Sequence, residues 1–182
     1  LVMAGSVPKS VPDTIYAQIM KRLSGRGVLC IVDTSGSPFL HVLEEKPFLI
    51  KPSLRELEEI FHCPMKEGVL LSSMIALAQR GVRNVLVSCG EHGAYLLDEH
   101  GGFYYGKSPA GRVINTAGAG DAMVAGFLKG WLQTSDYALA FKRGIAAGSA
   151  SAFSRGMADA EAVKKLYAKV HIEVMREPVM EG

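Results

Sequence analysis

A short glycine-rich segment carries the clearest chemistry in this chain. Its sequence is TAGAGD, from Thr116 to Asp121, between a β-like run at 112–114 and a helix-forming stretch at 122–132. The unpaired N–H groups and positive dipole end of a helix start bind anions, and glycines let a phosphate approach the backbone closely. Asp121, in the first turn of that helix, is placed to accept the proton of an attacking hydroxyl. The segment therefore predicts phosphoryl transfer.

Less specific interpretations of this segment stay open on the residues alone. Glycine-rich turns between strand and helix are common in α/β proteins, and an aspartate in a first helical turn often only compensates the dipole. A dinucleotide fingerprint is excluded, because Met123 stands where its third glycine belongs. No acidic residue follows about 20 positions later at a strand end, as that fingerprint requires.

A second segment matches the P-loop pattern by its letters alone. It is GGFYYGKS at 101–108. Its aromatic interior at 103–105 favours a strand, and Pro109 follows where a P-loop would open a helix. We therefore predict that Lys107 does not bind nucleotide phosphates.

Composition and charge limit the classes of function. The chain has 182 residues, of which 48% are hydrophobic and 21% charged, as expected for one globular domain. A formal net charge of +2 gives no reason to expect a nucleic-acid partner. No apolar run approaches the roughly 20 residues of a membrane span, so no membrane partner is expected. The three widely spaced cysteines, Cys30, Cys63 and Cys89, favour a reducing cytoplasm.

The order of predicted elements indicates an α/β fold. Strands covered on both faces of a parallel sheet are predicted at 28–32, 48–50 and 85–88, and a hairpin at 94–105. Helices are predicted at 13–25, 37–45, 69–80, 119–132, 136–153 and 159–174. A further helix is predicted to begin after Ser53, which forms a capping box with Glu56. We expect a three-layer α/β/α fold with a mostly parallel sheet.

Several segments, in this order, resemble the PfkB/ribokinase-like sugar kinases. They are MAGSVP at 3–8, LIKPSLREL at 49–57, VSCGEHGA at 87–94 and NTAGAGDAMVAGF at 115–127. The resemblance spans almost the whole chain and is greatest to the branch that acts on ketohexose phosphates, the 1-phosphofructokinases and tagatose-6-phosphate kinases. It implies a ribokinase-like (Rossmann-like) fold and the cofactors ATP and Mg²⁺.

The resemblance also implies roles for individual residues. Asp121 is the expected catalytic base and contacts the sugar-phosphate substrate, as does Ser6. Glu56 is expected to act on Mg²⁺ through water, and Ser53 stands where the family usually has asparagine. The anion hole is expected from Ala117, Gly118, Ala119 and Gly120, and the nucleotide contacts from Lys51, Ser53, Ser88, Gly90, Gly93, Thr116, Ile145, Gly148 and Ser149.

One group of these residues has two interpretations. The segment 145–150, IAAGSA, has little bulk apart from its isoleucine. A flat adenine ring or a closely packed helix fits such a face about equally well. The family resemblance favours adenine.

The start of the chain predicts a partial enzyme. Residues 1–4, LVMA, resemble the end of a buried strand, and members of the resembled family have a longer N-terminal portion with a small β lid. We expect residues 1–172 to be the C-terminal, nucleotide-binding part of a kinase domain that lacks this portion and its lid, and 173–182 to be a tail. The uncovered sheet edge favours association into a homo-oligomer.

Two functions follow from the sequence. The first is an ATP-dependent kinase that phosphorylates the primary hydroxyl of a ketohexose phosphate, fructose 1-phosphate or, next, tagatose 6-phosphate. The second is a nucleotide-binding fragment without effective catalysis, because the lid and most of the sugar site are absent.

Overall fold

The chain alternates strands and helices in two compact units. A computed structural model describes residues 1–175, apart from the side chain of Glu67. The first unit consists of Leu1–Val87 and Leu97–His100. The second consists of Ser88–Leu96 and the described residues from Gly101 onward.

The first unit is built on parallel strands that alternate with helices. Its elements are β1 (Val2–Ala4), α1 (Ile15–Leu23), β2 (Ile31–Asp33), α2 (Ser37–Leu43), β3 (Leu49–Ile50), α3 (Leu54–Phe61), α4 (Glu67–Gln79) and β4 (Asn84–Ser88). Met3 lies opposite Val32, Val32 opposite Ile50, and Ile50 opposite Val85. Each of these four side chains is buried, so the row is part of the core of the unit and fixes the register of its strands.

The second unit combines three strands with three helices in its described part. They are β5 (Ala94–Leu97), β6 (Phe103–Gly106), α5 (Ala119–Thr134), α6 (Tyr137–Ala152), α7 (Ala160–Tyr167) and β7 (Ile172–Met175). The strands are neighbours in that order, with β6 and β7 antiparallel. Helices α5 and α6 pack very closely, since a Cβ on Gly126 would lie 2.6 Å from the Cβ of Ala147.

The end of the chain differs from its prediction. The helix predicted at 159–174 ends at Tyr167, and Ile172–Met175 forms β7. β-Branched Ile172 and Val174 favour a strand, and β6 supplies the partner, with Gly106 opposite Ile172. The tail predicted from 173 therefore does not begin there, and positions 176–182 lie outside the described residues.

The β-like run before the glycine-rich segment is not a strand either. The N–H groups of Ile114 and Asn115 both donate to the carbonyl of Ala152, at 2.8 and 3.1 Å. This extended segment is therefore attached to the end of α6 and not to a neighbouring strand. It anchors the approach to α5.

The sequence predicts no membrane span, and the length and apolar character of the helices bear on this prediction. Across residues 1–175, none of the helices has both the length and the apolar character needed to cross a bilayer.

Candidate active site

The first turn of α5 presents backbone N–H groups beside a carboxylate. Gly118 is its N-cap, with a φ of +76°, a left-handed conformation that favours glycine. Within the described residues, the N–H groups of Gly118, Gly120 and Asp121 have no hydrogen-bond partner. The side chain of Asp121 is exposed in the same turn. An anion can therefore approach these donors with the carboxylate close by.

Two of the four predicted anion-hole donors are already engaged. The N–H of Ala117 donates to Oδ1 of Asn115 at 3.0 Å, and that of Ala119 donates to the carbonyl of Thr116 at 3.1 Å. A phosphate would have to displace these acceptors. The N–H of Asp121 is available instead, a donor that the sequence analysis did not include.

Helix α6 holds this turn in place through small residues. A Cβ on Gly148 would lie 3.1 Å from the carbonyl oxygen of Ala119 and 3.3 Å from the Cβ of Met123. Ile145 is fully buried, and its Cδ1 would lie 2.3 Å from a Cβ on Gly106. Ser149 is 7% exposed. These contacts support close packing as a cause of the small residues, and the adenine contact stays a prediction.

The end of β4 and the turn that follows it contain three predicted nucleotide contacts, Ser88, Gly90 and Gly93. Its short 3₁₀ segment, Gly90–His92, is closed by a hydrogen bond of 2.8 Å from the N–H of Cys89 to the carbonyl of Gly93. Gly90 is exposed, whereas Ser88 is partly exposed and Gly93 is buried. Burial raises the pKa of the Cys89 thiol to about 11, so this thiol is neutral at physiological pH.

The fold requires glycine at position 93, whether or not Gly93 contacts a nucleotide. It has a φ of +103°, and a Cβ there would overlap the carbonyl oxygen of Gly106 at 2.0 Å. We expect Gly93→Ala to lower the free energy of unfolding by about 2–5 kcal/mol, from strain and overpacking. Urea denaturation measures this loss. The control is Gly90→Ala, because Gly90 also has positive φ but open space around it, and equal losses would contradict the steric explanation.

The P-loop pattern lies on a strand, as the sequence analysis predicts. Phe103–Gly106 is β6, and residues 107–116 form no helix. Lys107 is exposed. We expect Lys107→Ala to leave the dissociation constant for ATP unchanged within about twofold, because its position lacks the phosphate-wrapping backbone of a P-loop. Calorimetric titration tests this, and a tenfold loss would restore the P-loop hypothesis.

Several predicted residues of the first unit lie at the carboxyl ends of its strands. Ser6 is exposed just after β1, and Lys51 follows β3 with a side chain that is 7% exposed. Its Nζ lies 3.1 Å from Oδ1 of Asp33, the last residue of β2. Carboxyl ends of parallel strands are the usual ligand edge of α/β sheets. The sequence analysis missed Asp33, because it ends the strand at Val32 and the pairing becomes visible only in the fold.

The predicted capping box before α3 is confirmed. Ser53 Oγ accepts from the N–H of Glu56 at 3.3 Å. In return, Oε2 of Glu56 accepts from the N–H of Ser53 at 2.7 Å and from its hydroxyl at 2.8 Å. The hydroxyl of Ser53 is therefore already used as a donor. For Oε1 of Glu56, the described residues supply no hydrogen bond, so one carboxylate oxygen remains available.

A cavity in the first unit lies away from these strand ends. It has a volume of about 340 Å³ and is lined in part by Cys30, Phe48 and Arg83, which directly precede β2, β3 and β4. The guanidinium of Arg83 is already paired with Glu99 at 2.6 Å. The cavity is therefore at the amino ends of the strands, opposite to the predicted ligand edge.

Comparisons with known proteins agree with the predicted family. The chain is 35% identical over 175 residues to 1-phosphofructokinase from Bacillus subtilis, covering 94% of the chain and 57% of that relative. It is 32% identical over 184 residues to D-tagatose-1-phosphate kinase from Bacillus licheniformis, covering 94% and 57%. A crystal structure of a candidate phosphofructokinase from Staphylococcus aureus matches with a TM-score of 0.90 and 33% identity, over 96% of the chain and 57% of that structure.

The family and the fold class follow from these matches. The chain spans a little over half the length of the curated relatives it matches. The likeness to the solved structure confirms the predicted ribokinase-like α/β fold, here with a mixed sheet. The model of the pfkB family carbohydrate kinases matches residues 1–163, and the chain therefore belongs to that family.

Proposed function

We propose that this chain transfers the γ-phosphate of ATP to the primary hydroxyl of a ketohexose phosphate. The favoured substrate is fructose 1-phosphate, which would give fructose 1,6-bisphosphate, and tagatose 6-phosphate is the next. The first turn of α5 carries the proposal, because it combines unpartnered N–H groups with the exposed carboxylate of Asp121. The names of the relatives support a sugar phosphate as acceptor.

The turn supplies two parts of the chemistry. Asp121 accepts the hydroxyl proton as the sugar oxygen bonds to the γ-phosphorus, while the bond from that phosphorus to the bridging oxygen breaks and ADP leaves. The N–H groups of Gly118, Gly120 and Asp121 stabilise the charge on the transferred phosphoryl group. Lys51, Ser88, Gly90 and Thr116 are proposed contacts to the nucleotide, and Ser6 to the sugar phosphate.

Magnesium is the second proposed cofactor. Within residues 1–175, no group of three or more histidine, cysteine or acidic side chains is suited to hold a metal. This composition still fits Mg²⁺, which usually keeps several waters and binds phosphates and one or two carboxylates. The second carboxylate oxygen of Glu56 can hold one of those waters. When bound, Mg²⁺ would neutralise charge on the nucleotide phosphates.

A coupled assay of ADP release tests the proposal. Fructose 1-phosphate, tagatose 6-phosphate and tagatose 1-phosphate are compared as acceptors, the last because one relative is named for it. We expect turnover, with the highest kcat/KM for fructose 1-phosphate. A higher kcat/KM for either tagatose phosphate would contradict fructose 1-phosphate as the favoured substrate.

The second candidate function is nucleotide binding without effective catalysis. Apart from Asp121, Ser6 is the one sugar-phosphate contact predicted within the described part of the chain, and so few contacts to the acceptor favour this function. Holding a hydroxyl near the γ-phosphate contributes roughly 7–11 kcal/mol to such reactions. A chain that binds ATP in calorimetry but turns over none of the three acceptors would have this second function.

A further inference from the structure

Lys51 has an incompletely used ammonium group at the ligand edge of the first unit. Its side chain is 7% exposed, and the Asp33 carboxylate, 17% exposed, lies 3.1 Å from its Nζ. An ammonium has three N–H donors. In the part of the chain that the structure describes, Asp33 is the single partner found for it. Burying a charge with unused donors is costly, so the arrangement indicates an anionic ligand.

The backbone of Asp33 is fixed by hydrogen bonds, so its carboxylate can hold the Lys51 ammonium in one position. Its carbonyl accepts from the N–H of Gly5 at 2.9 Å, and the hydroxyl of its neighbour Thr34 donates to the carbonyl of Gly5, also at 2.9 Å. The backbone of β2 is thus tied to the loop that follows β1. The Asp33 carboxylate lies at the fixed end of this strand, beside Lys51 at the end of β3.

We propose that Asp33 is a positioning residue that holds the Lys51 ammonium in place and aims its remaining N–H donors at a phosphate of ATP. This inference rests on the proposed function, because it takes the anion to be the nucleotide. The competing explanation is that the ion pair only joins β2 to β3. Those strands already pair through their backbones, with Ile31 opposite Leu49. The ion pair is therefore not needed to join them and adds little to the stability of the fold.

A double-mutant cycle separates these explanations, with ATP as the probe in calorimetry. Asp33→Asn is expected to weaken ATP binding by about 10- to 100-fold, the loss typical of a hydrogen bond to a charged group. In a Lys51→Met background, the same substitution should leave ATP affinity unchanged or raise it, because it removes a negative charge that repels a nearby phosphate. Similar losses in both backgrounds would overturn the proposal.

A matched control tests whether removing any half-buried carboxylate lowers ATP affinity. Glu99 forms an ion pair of 2.6 Å with Arg83, and its side chain is 20% exposed, close to the value for Asp33. Glu99→Gln should not change ATP affinity. If Asp33→Asn does not fold, Asp33→Glu keeps the charge but moves the carboxylate, and it should weaken ATP binding in the same direction. Unchanged affinity in that folded variant would overturn the proposal.

A second measurement does not depend on nucleotide binding. The rate at which acetic anhydride modifies Lys51 is followed by peptide mass spectrometry. Asp33→Asn should raise this rate several-fold, since the Lys51 side chain is then no longer held against a carboxylate and can move toward the reagent. An unchanged rate would overturn the proposal. If the unmutated chain binds no ATP, the proposed function fails, and the acetylation rates alone decide whether Asp33 holds Lys51.

Discussion

Asp121→Asn is expected to lower kcat for fructose 1-phosphate by about 10²–10⁴-fold, while the dissociation constant for ATP changes little. Asparagine keeps the size of the side chain but cannot accept the hydroxyl proton, and proton transfer by a positioned base contributes about this much. Backbone N–H groups, which the substitution leaves in place, are the proposed phosphate contacts of this turn. Steady-state kinetics and calorimetry on the same preparation measure both quantities.

Asp159→Asn is the matched control for this prediction. Asp159 is the N-cap of α7 and accepts from the N–H of Ala162 at 2.8 Å, a role that asparagine fills equally well. Its variant should keep both kcat and the unfolding temperature. A kcat within threefold of the unmutated chain for Asp121→Asn would show that Asp121 only compensates the dipole of α5.

Local patterns predicted most of the fold because each had a local cause. The apolar runs mark buried strands, and the row from Met3 to Val85 is the core that they form. Ser53 and Glu56 form a capping box through their own side chains, so three residues of spacing are enough to predict it. Likewise, Gly118, directly before α5, gives the turn its left-handed N-cap.

The predictions that failed depended on distant partners. Ile172–Met175 has the composition of a short helix end or a strand, and pairing with β6 decides between them. The run at 112–114 finds its hydrogen-bond acceptor at Ala152, nearly 40 positions away, so no local pattern could show it. Asp33 is a similar case, because its closeness to Lys51 exists only once β2 and β3 lie side by side.

Gly118→Val is expected to weaken ATP binding by at least about 10²-fold. In the protein itself, a Cβ on Gly118 would meet no atom within 4 Å, so the substitution causes no clash with the fold. The branched side chain would instead occupy the space through which a phosphate reaches the N–H groups of the turn. Losing even one charge-assisted hydrogen bond costs about 1.5–3 kcal/mol, and displacement of the phosphate removes several. Calorimetric titration with ATP measures the effect.

Backbone strain is the remaining alternative, and Gly25→Val controls for it. Gly25 has a φ of +75°, against +76° for Gly118, and a Cβ there would also meet no atom within 4 Å. Gly25→Val and Gly118→Val therefore introduce a similar strain of about 1–3 kcal/mol and should lower the unfolding temperature similarly. ATP affinity should fall only for Gly118→Val, because Gly25 follows α1 and lies outside the predicted nucleotide contacts. If the two variants bind ATP equally well, the turn before α5 is a structural cap, and the phosphate site must lie elsewhere.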